Sequence, residues 1–386
     1  MSIPSWVWGQ SVMWLLAHLY LWARLVRGTT PARSRARRAG TAAAAALATF
    51  VPAALITPFY LDLAVSRWIA WPTTIWYGLA IYLLILLLIA EPVRLAAALI
   101  RRRRAARARP EPPDDASRRV FLARSIAVTA GAAATGIVGY GMVNALGPPR
   151  LDRVTVRLRR GGPQANGLRI ALVGDIHLGP MLGRAHTRRI VDLINGTGAD
   201  LVAIVGDLVD GTVEQLAPAA APLRDLRSRH GTFFVTGNHE YLSGATEWIE
   251  ELRELGVRPL LNERVELPGL DLAGVNDVTG ALQDDGPDYA RALGDRDPAR
   301  PVVLLAHQPV QVNEARRHGV DLQLSGHTHG GQLMPLDLIT SWAQPTLAGY
   351  ERFGDTQLYV TKGAGFWGPP VRVGAPPDIT IVELAI

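Results

Sequence analysis

The sequence predicts a layered α/β domain that follows a region of apolar helices. From residue 169 onwards, short apolar runs rich in β-branched residues alternate with longer amphipathic stretches, which is typical of buried strands connected by helices. In such folds ligands collect beyond the carboxyl ends of the strands. Five of the apolar runs end directly at polar residues that can bind a metal ion, so the sequence also predicts where the site lies.

Charge is distributed unequally along the 386 residues. Residues 1–150 contain 18 arginines and five acids, a net charge of +13, whereas the remaining residues contain 22 basic and 29 acidic side chains, a net charge of −7. The basic residues flank apolar segments, where they fix membrane orientation, so no nucleic-acid partner is expected. The chain contains no cysteine, which excludes disulfides and leaves nitrogen and oxygen atoms as metal ligands.

Four apolar stretches near the amino terminus are each about the 20 residues that a membrane-spanning helix needs. They lie near residues 5–26, 41–60, 71–90 and 125–146. The loops after the first and third stretches are rich in arginine, whereas the loop after the second contains only Arg67 as a basic residue. The positive-inside rule therefore predicts a multi-pass protein whose two arginine-rich loops are cytoplasmic and whose carboxyl-terminal domain is extracytoplasmic.

The start of the fourth stretch has two interpretations. Residues 117–122, Ser-Arg-Arg-Val-Phe-Leu, are similar to a twin-arginine export signal, and they are equally an ordinary positive flank. Both interpretations place the following domain outside the cytoplasm. The sequence leaves open whether residues 117–146 are a cleaved signal or a permanent anchor. Gly-Pro-Pro begins a linker and domain start at residues 147–167, which places the soluble domain at 168–386 and the transmembrane region at 1–146.

The soluble domain repeats one pattern, in which an apolar run is followed at once by polar side chains. These polar residues are Asp175 and His177, Asp207, Asn238 and His239, His307, and His327 and His329. Side chains two positions apart on an extended segment point the same way, so each Asp-x-His or His-x-His pair is expected to reach one ion. A set of Asp, Asn and His ligands without sulfur favours Mn, Fe or Zn.

These motifs resemble those of the calcineurin-like metallophosphoesterase superfamily in type and order. The matching segments are Asp175-x-His177, Gly206-Asp207-x-x-Asp210-Gly, Gly237-Asn238-His239-Glu240, His307-x-Pro309 and Gly326-His327-x-His329. The stretch from 356 to 380 resembles the bacterial membrane-anchored branch that is exported by twin-arginine signals. The resemblance covers about residues 168–386 and implies a four-layer α/β sandwich. The second motif lacks the arginine that follows it in protein serine/threonine phosphatases, which disfavours a phosphoprotein substrate.

The resemblance also implies a role for each residue in a site with two divalent metal ions. The expected ligands are Asp175, His177 and His329 for the first ion, Asn238, His307 and His327 for the second, and Asp207 as the bridge. His239 would face the substrate as a catalytic residue, and Asp210 would support the ligands through hydrogen bonds. Two such ions, about 3.5–4 Å apart, can share a hydroxide that attacks a phosphate ester.

The sequence thus predicts a membrane-anchored, binuclear metal-dependent phosphohydrolase that prefers phosphodiesters. A phosphomonoesterase of the same fold is one alternative. Another is a multi-span receptor or channel with a regulatory phosphoesterase-like domain, which is disfavoured because the spans carry almost no charge at their centres. The location suggests a lipid headgroup or an envelope polymer as the phosphate-ester substrate. The sequence does not determine the substrate, the native metals or the oligomeric state.

Overall fold

The computed structural model describes residues 5–57, 61–105 and 114–386, and the chain divides into two compact units. The first unit contains Met1–Gly141 together with Gly368–Pro370, and the second contains Met142–Trp367 and Val371–Ile386.

The first unit is helical in most of its described residues. Its elements are α1 (Ser5–Trp22), a π-helical turn (Ala23–Arg27), α2 (Arg35–Ala48), α3 (Phe50–Ile56), α4 (Leu63–Ile89), α5 (Glu91–Ala105) and most of α6 (Asp114–Leu146). Two stretches, Val65–Ile100 and Arg118–Leu146, are long and apolar enough to cross a membrane. They include the third and fourth predicted spans, and they indicate that the chain associates with a membrane.

The prediction of four spans is not confirmed. Helix α1 and the π-helical turn cover the first predicted span, but this segment does not meet the same criteria of length and hydropathy. The second predicted span is divided at Thr49 into α2, which begins with three arginines among its first four residues, and α3, which has only seven residues. Its end at residues 58–60 lies outside the described residues.

The second unit is built from twelve strands in its described residues. They are β1 (Arg150–Arg157), β2 (Arg169–Val173), β3 (Leu201–Val205), β4 (Thr232–Val235), β5 (Val257–Pro259), β6 (Glu263–Leu267), β7 (Leu270–Gly274), β8 (Val302–Leu305), β9 (Leu322–Ser325), β10 (Gly349–Phe353), β11 (Thr356–Val360) and β12 (Asp378–Ala385). They form two six-stranded sheets, in the orders β1-β12-β2-β3-β4-β5 and β10-β11-β9-β8-β7-β6. The five apolar runs singled out in the sequence are β2, β3, β4, β8 and β9.

Short helices connect these strands. They are α7 (Arg184–Asn195), α8 (Val213–Ala220), α9 (Asn238–Ser243), α10 (Ala245–Glu254), α11 (Tyr289–Leu293), α12 (Val312–Ala315) and α13 (Asp337–Thr340). Turns of 3₁₀ helix lie at Ala221–Asp225, Val278–Gln283, Pro309–Gln311, Arg316–His318 and His329–Gly331. Helix α7 is amphipathic and buries Ile190, Val191 and Ile194, as the spacing of its apolar residues requires.

The two sheets pack face to face. One apolar core contains alternate residues of both, including Leu172 and Val205 from the first sheet and Leu305 and Leu324 from the second. Strand β3 is buried along its whole length, because side chains on both of its faces are covered. Helices supply the outer layers, with α10 packed against β5 and α11 against β6 and β7. The prediction of a layered α/β domain is confirmed.

Parallel strands bring the loops of the predicted site together. Strands β2, β3, β4 and β5 are mutually parallel in the first sheet, as are β7, β8, β9 and β11 in the second. Within each sheet the carboxyl ends of these strands therefore meet at one edge, and the predicted metal-binding loops leave from those edges.

Candidate metal centre

The first group of predicted ligands contains Asp175, His177 and His329. Their ligand atoms all lie within 4.8 Å of one another. The two imidazole Nε2 atoms are 3.0 Å apart, and Nε2 of His329 is 3.6 Å from Oδ1 of Asp175. Asp175 and His177 have φ values of 50° and 49°, so they are left-handed and not extended as the sequence pattern suggested. They reach the same point through this local twist of the backbone.

The second group contains Asp207, His307 and His327, whose ligand atoms also lie within 4.8 Å of one another. Nε2 of His307 is 3.2 Å from Oδ2 of Asp207 and 3.2 Å from Nδ1 of His327. Asn238 joins this group, because its Oδ1 is also 3.2 Å from Nε2 of His307. Three side chains thus converge on one imidazole nitrogen.

Asp207 lies between the two groups. Its Oδ2 is 3.2 Å from Nε2 of His307 and 3.8 Å from Nε2 of His177, which belongs to the first group. His327 and His329, expected from their spacing to reach one ion, are in different groups. Their φ values are 73° and 52°, so this segment is left-handed and not extended, and side chains two positions apart do not point the same way as they would on a strand. The arrangement has the geometry of a divided site with one shared carboxylate.

Two glycines allow the carboxylates to lie directly against the backbone. A Cβ atom on Gly326 would collide with the carboxylate of Asp175, and one on Gly237 would collide with that of Asp207. In the space that the missing side chains leave, the backbone N–H of His327 donates to both oxygens of Asp175, at 2.9 and 3.0 Å. The backbone N–H of His239 donates to Oδ1 of Asp207 at 2.9 Å. Each carboxylate is therefore held in place by main-chain donors.

The surroundings of His307 test whether a cation fits. Its Nδ1 lies 2.7 Å from the carbonyl oxygen of Val205, which can only accept, so Nδ1 carries a proton. In a neutral ring Nε2 then presents a lone pair, yet it faces the oxygens of Asp207 and Asn238 and Nδ1 of His327. Burial alone would lower the pKa of His307, but the Asp207 carboxylate outweighs it and raises the pKa well above its usual value. A site that draws a proton in this way fits a metal cation.

Asp210 supports two histidines at once. Its Oδ1 lies 3.0 Å from Nδ1 of His177 and 2.7 Å from Nδ1 of His239. This contact leaves Nε2 of His177 directed into the first group. Burial alone would lower the pKa of His239, but Asp207 and Asp210 outweigh it and raise the pKa to about 10. The side chain of His239 is 14% exposed, so the ring lies at the open side of the site.

His329 differs from the other predicted ligands in its hydrogen bonding. Arg372, which can only donate, places Nη2 3.0 Å from Nδ1 of His329. The neutral ring then carries its proton on Nε2, so an ion bound there would have to displace that proton. Burial is the main reason that the pKa of His329 is well below its usual value, and Arg372 lowers it further. His307 is similar in one respect, because the proton that Asp207 favours on its Nε2 would also be displaced by an ion.

Two supporting residues received no role from the sequence. Glu240 is fully buried, and its carboxylate accepts hydrogen bonds from the backbone N–H groups of Asp207, Leu208 and Gly237, at 3.0, 2.8 and 2.6 Å. Arg372 is also fully buried and donates to main-chain carbonyls, including that of His329 at 3.0 Å. The only signal for Glu240 was its place in the Gly-Asn-His-Glu motif. Arg372 lies within the stretch from 356 to 380, whose resemblance to the bacterial branch implied no role for single residues.

Comparison with known proteins identifies the family. Residues 168–331 match the model of the calcineurin-like phosphoesterases. An uncharacterized metallophosphoesterase of Helicobacter pylori is 40% identical over 254 residues, which is 64% of this chain and 68% of that protein. An uncharacterized metallophosphoesterase of Aquifex aeolicus is 33% identical over 240 residues, covering 61% of this chain and 91% of that protein.

A transmembrane protein with a metallophosphoesterase domain from Danio rerio is 39% identical over 260 residues. The match covers 64% of this chain and 59% of that relative, so the chain spans less than two thirds of its length. The family generally uses divalent metals, and the buried Asp and His groups described above are suited to hold them. The sequence-based prediction of a phosphoester hydrolase is confirmed: the chain belongs to the calcineurin-like metallophosphoesterase family.

Proposed function

We propose that this protein is a membrane-anchored phosphodiesterase with two divalent metal ions. The observation that carries the proposal is the position of Asp207, whose Oδ2 faces His177 on one side and His307 on the other. A carboxylate shared between the two groups of ligands offsets the repulsion between two cations. The catalytic domain is assigned to residues 168–386, and residues 147–167 are assigned to the linker and domain start, which includes β1.

The ligand assignment follows the two groups. Asp175, His177 and His329 are assigned to one ion and Asn238, His307 and His327 to the other, with Asp207 shared. Nitrogen and oxygen ligands of this kind suit Mn, Fe or Zn. When bound, such ions activate water and neutralise the charge of the reacting phosphate.

The chain itself supplies a proton donor and its support. His239 lies at the open side of the site, with Nδ1 held 2.7 Å from Asp210 and Nε2 3.9 Å from Oδ2 of Asp207. This fixes the ring with one nitrogen towards the metal groups. From there it can donate a hydrogen bond to the transition state or a proton to the leaving oxygen.

The charge near the site favours a diester over a monoester. A phosphomonoester is a dianion near neutral pH and is commonly bound by arginine. Arg372, which contacts His329, is fully buried and directs its guanidinium group to main-chain carbonyls. Its donors are thus occupied by main-chain carbonyls and are not directed to a substrate. We therefore propose that His239, at the open side of the site, faces a monoanionic phosphate.

The proposed membrane location supports a class of substrate. The apolar stretch Arg118–Leu146 ends four residues before β1, so the catalytic domain is tethered close to the membrane if that stretch crosses it. We propose four spans with the catalytic domain outside the cytoplasm, because the positive-inside rule favours a cytoplasmic location for the two arginine-rich loops. Phosphodiesters of lipid headgroups or envelope polymers are then within reach.

Glu240 is assigned as the positioning residue for the bridge. Its carboxylate binds the main chain at Asp207 and Leu208 and, beyond them, at Gly237, which precedes Asn238. It therefore connects the loop that carries the bridging ligand to the loop that carries a ligand of the second ion.

The first prediction concerns the reaction and the bridge. The purified full chain should contain about two divalent ions and should hydrolyse a soluble diester faster than the matching monoester. Asp207→Asn should lose activity by about 10³-fold or more, because the two cations lose the carboxylate between them. Metal analysis and parallel assays with bis- and mono-p-nitrophenyl phosphate check this. A faster monoester reaction would contradict the diester assignment, and an active Asp207→Asn protein would contradict the bridge.

The second prediction concerns His239. His239→Ala should keep both ions, since it is not a ligand, while kcat falls about 10²–10⁴-fold from the loss of a proton donor. The control is His230→Ala, outside the metal groups, which should retain its activity. Loss of metal in the His239 variant, or full activity, would remove the proposed role.

The third prediction concerns Glu240. Glu240→Gln replaces one accepting oxygen by an amide that faces backbone N–H groups, so the loops of Asp207 and Asn238 should separate. Metal affinity should fall about 10–100-fold, measured by competition with a chelator. Glu250→Gln, at an exposed position of α10, is the matched control. Equal affinities of the two variants would show that Glu240 does not position the ligands.

The fourth prediction concerns topology and uses the absence of cysteine in the natural chain. A cysteine introduced at Glu250 should react with a membrane-impermeant maleimide in intact cells. A cysteine introduced at Arg102, in the second arginine-rich loop, should react only after lysis. The reverse pattern would place the catalytic domain in the cytoplasm.

A further inference from the structure

The second unit exposes several large apolar side chains on segments that follow its strands. Six of them, which we call the apolar rim, are Leu242, Leu282, Leu338, Ile339, Trp342 and Trp367. Leu282 and Trp342 are each 86% exposed, and the others are between 43% and 64% exposed. Contiguous exposed apolar surface on a soluble domain usually marks a binding surface.

The rim belongs to the same edges of the sheets as the metal groups. Leu242 is on α9, after β4, and Leu282 is in the 3₁₀ turn after β7. Leu338, Ile339 and Trp342 follow β9 and the His329 loop, and Trp367 follows β11. These strands are parallel within their sheets, so all four segments leave from the edges that carry the predicted ligands. The ring centroid of Trp367 is 6.0 Å from that of His239.

The rim segments are also tied to the site and to each other. The backbone N–H of Val310 donates to Oε1 of Gln344, and Nε2 of Gln344 donates to Oε1 of Gln308, which follows His307. On the other side, Nε2 of Gln283 donates to the carbonyl of Tyr241, which precedes Leu242. The exposed apolar side chains therefore project from segments anchored by buried and partly buried hydrogen bonds.

Helices α7, α8 and α10 of the same unit differ from the rim segments in their exposed side chains. Among the described residues of α7, α8 and α10, no large apolar side chain is exposed. These three helices are thus not part of the exposed apolar surface, although single large apolar side chains are also exposed outside the rim, as at Leu151, Tyr350 and Ile386.

The end of α6 enters this unit beside the rim. Ala145 packs with Leu182 and Phe366 in one apolar cluster, and Phe366 is the neighbour of Trp367 in the chain. Nδ2 of Asn144 donates to the carbonyl oxygen of Arg372 at 3.3 Å. The last residues of α6, which belong to the second unit, therefore contact the segment that carries Phe366 and Arg372 and lies next to Trp367 in the chain.

We infer that the apolar rim inserts into the lipid–water interface of the membrane that the apolar helices occupy. Removal of leucine and isoleucine side chains from water is favourable, and tryptophan prefers the interface. Residues 151–386 carry a net charge of −7, so attraction to anionic lipid does not drive this contact. Insertion should therefore occur on zwitterionic lipid and should persist at high salt.

The lipid contact does not depend on the chemistry assigned to the metal centre. Its consequence for that chemistry is positional, because it would hold the open side of the site at the depth of the lipid headgroups. A soluble diester would reach the site with or without the contact.

The test uses the full chain in phosphatidylcholine vesicles, with one introduced cysteine carrying an environment-sensitive fluorophore. Ile339→Cys and Leu282→Cys report on two separate rim segments, and Glu250→Cys is the control. With lipids that carry bromine on their acyl chains, fluorescence at both rim positions should fall about twofold, at low and high salt, whereas the control stays unchanged.

Two outcomes would overturn the inference. One is equal fluorescence at rim and control positions with and without brominated lipid. The other is shielding of the rim labels from aqueous iodide that rises with protein density and is independent of brominated lipid, which would assign the rim to a second copy of the chain.

A double substitution in the rim provides a second measurement. Leu338→Asn with Trp342→Asn, added to the Leu282→Cys protein, should abolish the lipid signal of its label and leave soluble-diester turnover unchanged. A retained signal would equally count against insertion.

Discussion

The position of the Asp207 carboxylate is the constraint on which the site depends. One oxygen accepts from the backbone N–H of His239, and the other lies between His177 and His307. Glycine at position 237 is required, because a Cβ there would collide with this carboxylate. The two sheets bring the three surrounding loops to one place, and the buried Glu240 holds two of them together. The fold thus determines the geometry of the site mainly through the position of the Asp207 side chain.

Strain in the backbone accompanies this arrangement. Five of the seven predicted ligands have φ values between 49° and 73°, a region that costs about 1–3 kcal/mol per residue outside glycine. Asp and His tolerate it better than β-branched residues do. The left-handed residues follow strands β2, β3 and β9, which are buried over all or nearly all of their length and hold the ends of these loops in place. A tight turn directly after a buried strand leaves few alternative backbone paths, so a strained ligand residue can be retained there.

Much of the fold was predictable, because buried strands such as β3 appear in the sequence as short apolar runs. The clustering of the ligands was predictable because the carboxyl ends of parallel strands meet. The assignment of His327 and His329 to different groups was not visible in their spacing, since it depends on two left-handed residues. The supporting role of Arg372 depends on contacts between residues distant in sequence. The first two apolar stretches remain a prediction, since only Val65–Ile100 and Arg118–Leu146 are long and apolar enough by length and composition to cross a membrane among the described residues.

The central claim is that two cations share one carboxylate. The most direct measurement is the electron paramagnetic resonance spectrum of the full chain, freed of metal and reloaded with manganese. The account predicts that at full loading the spectrum is that of a spin-coupled manganese pair, because bridged ions interact magnetically. A fully loaded protein that shows only the spectrum of isolated manganese ions would contradict it.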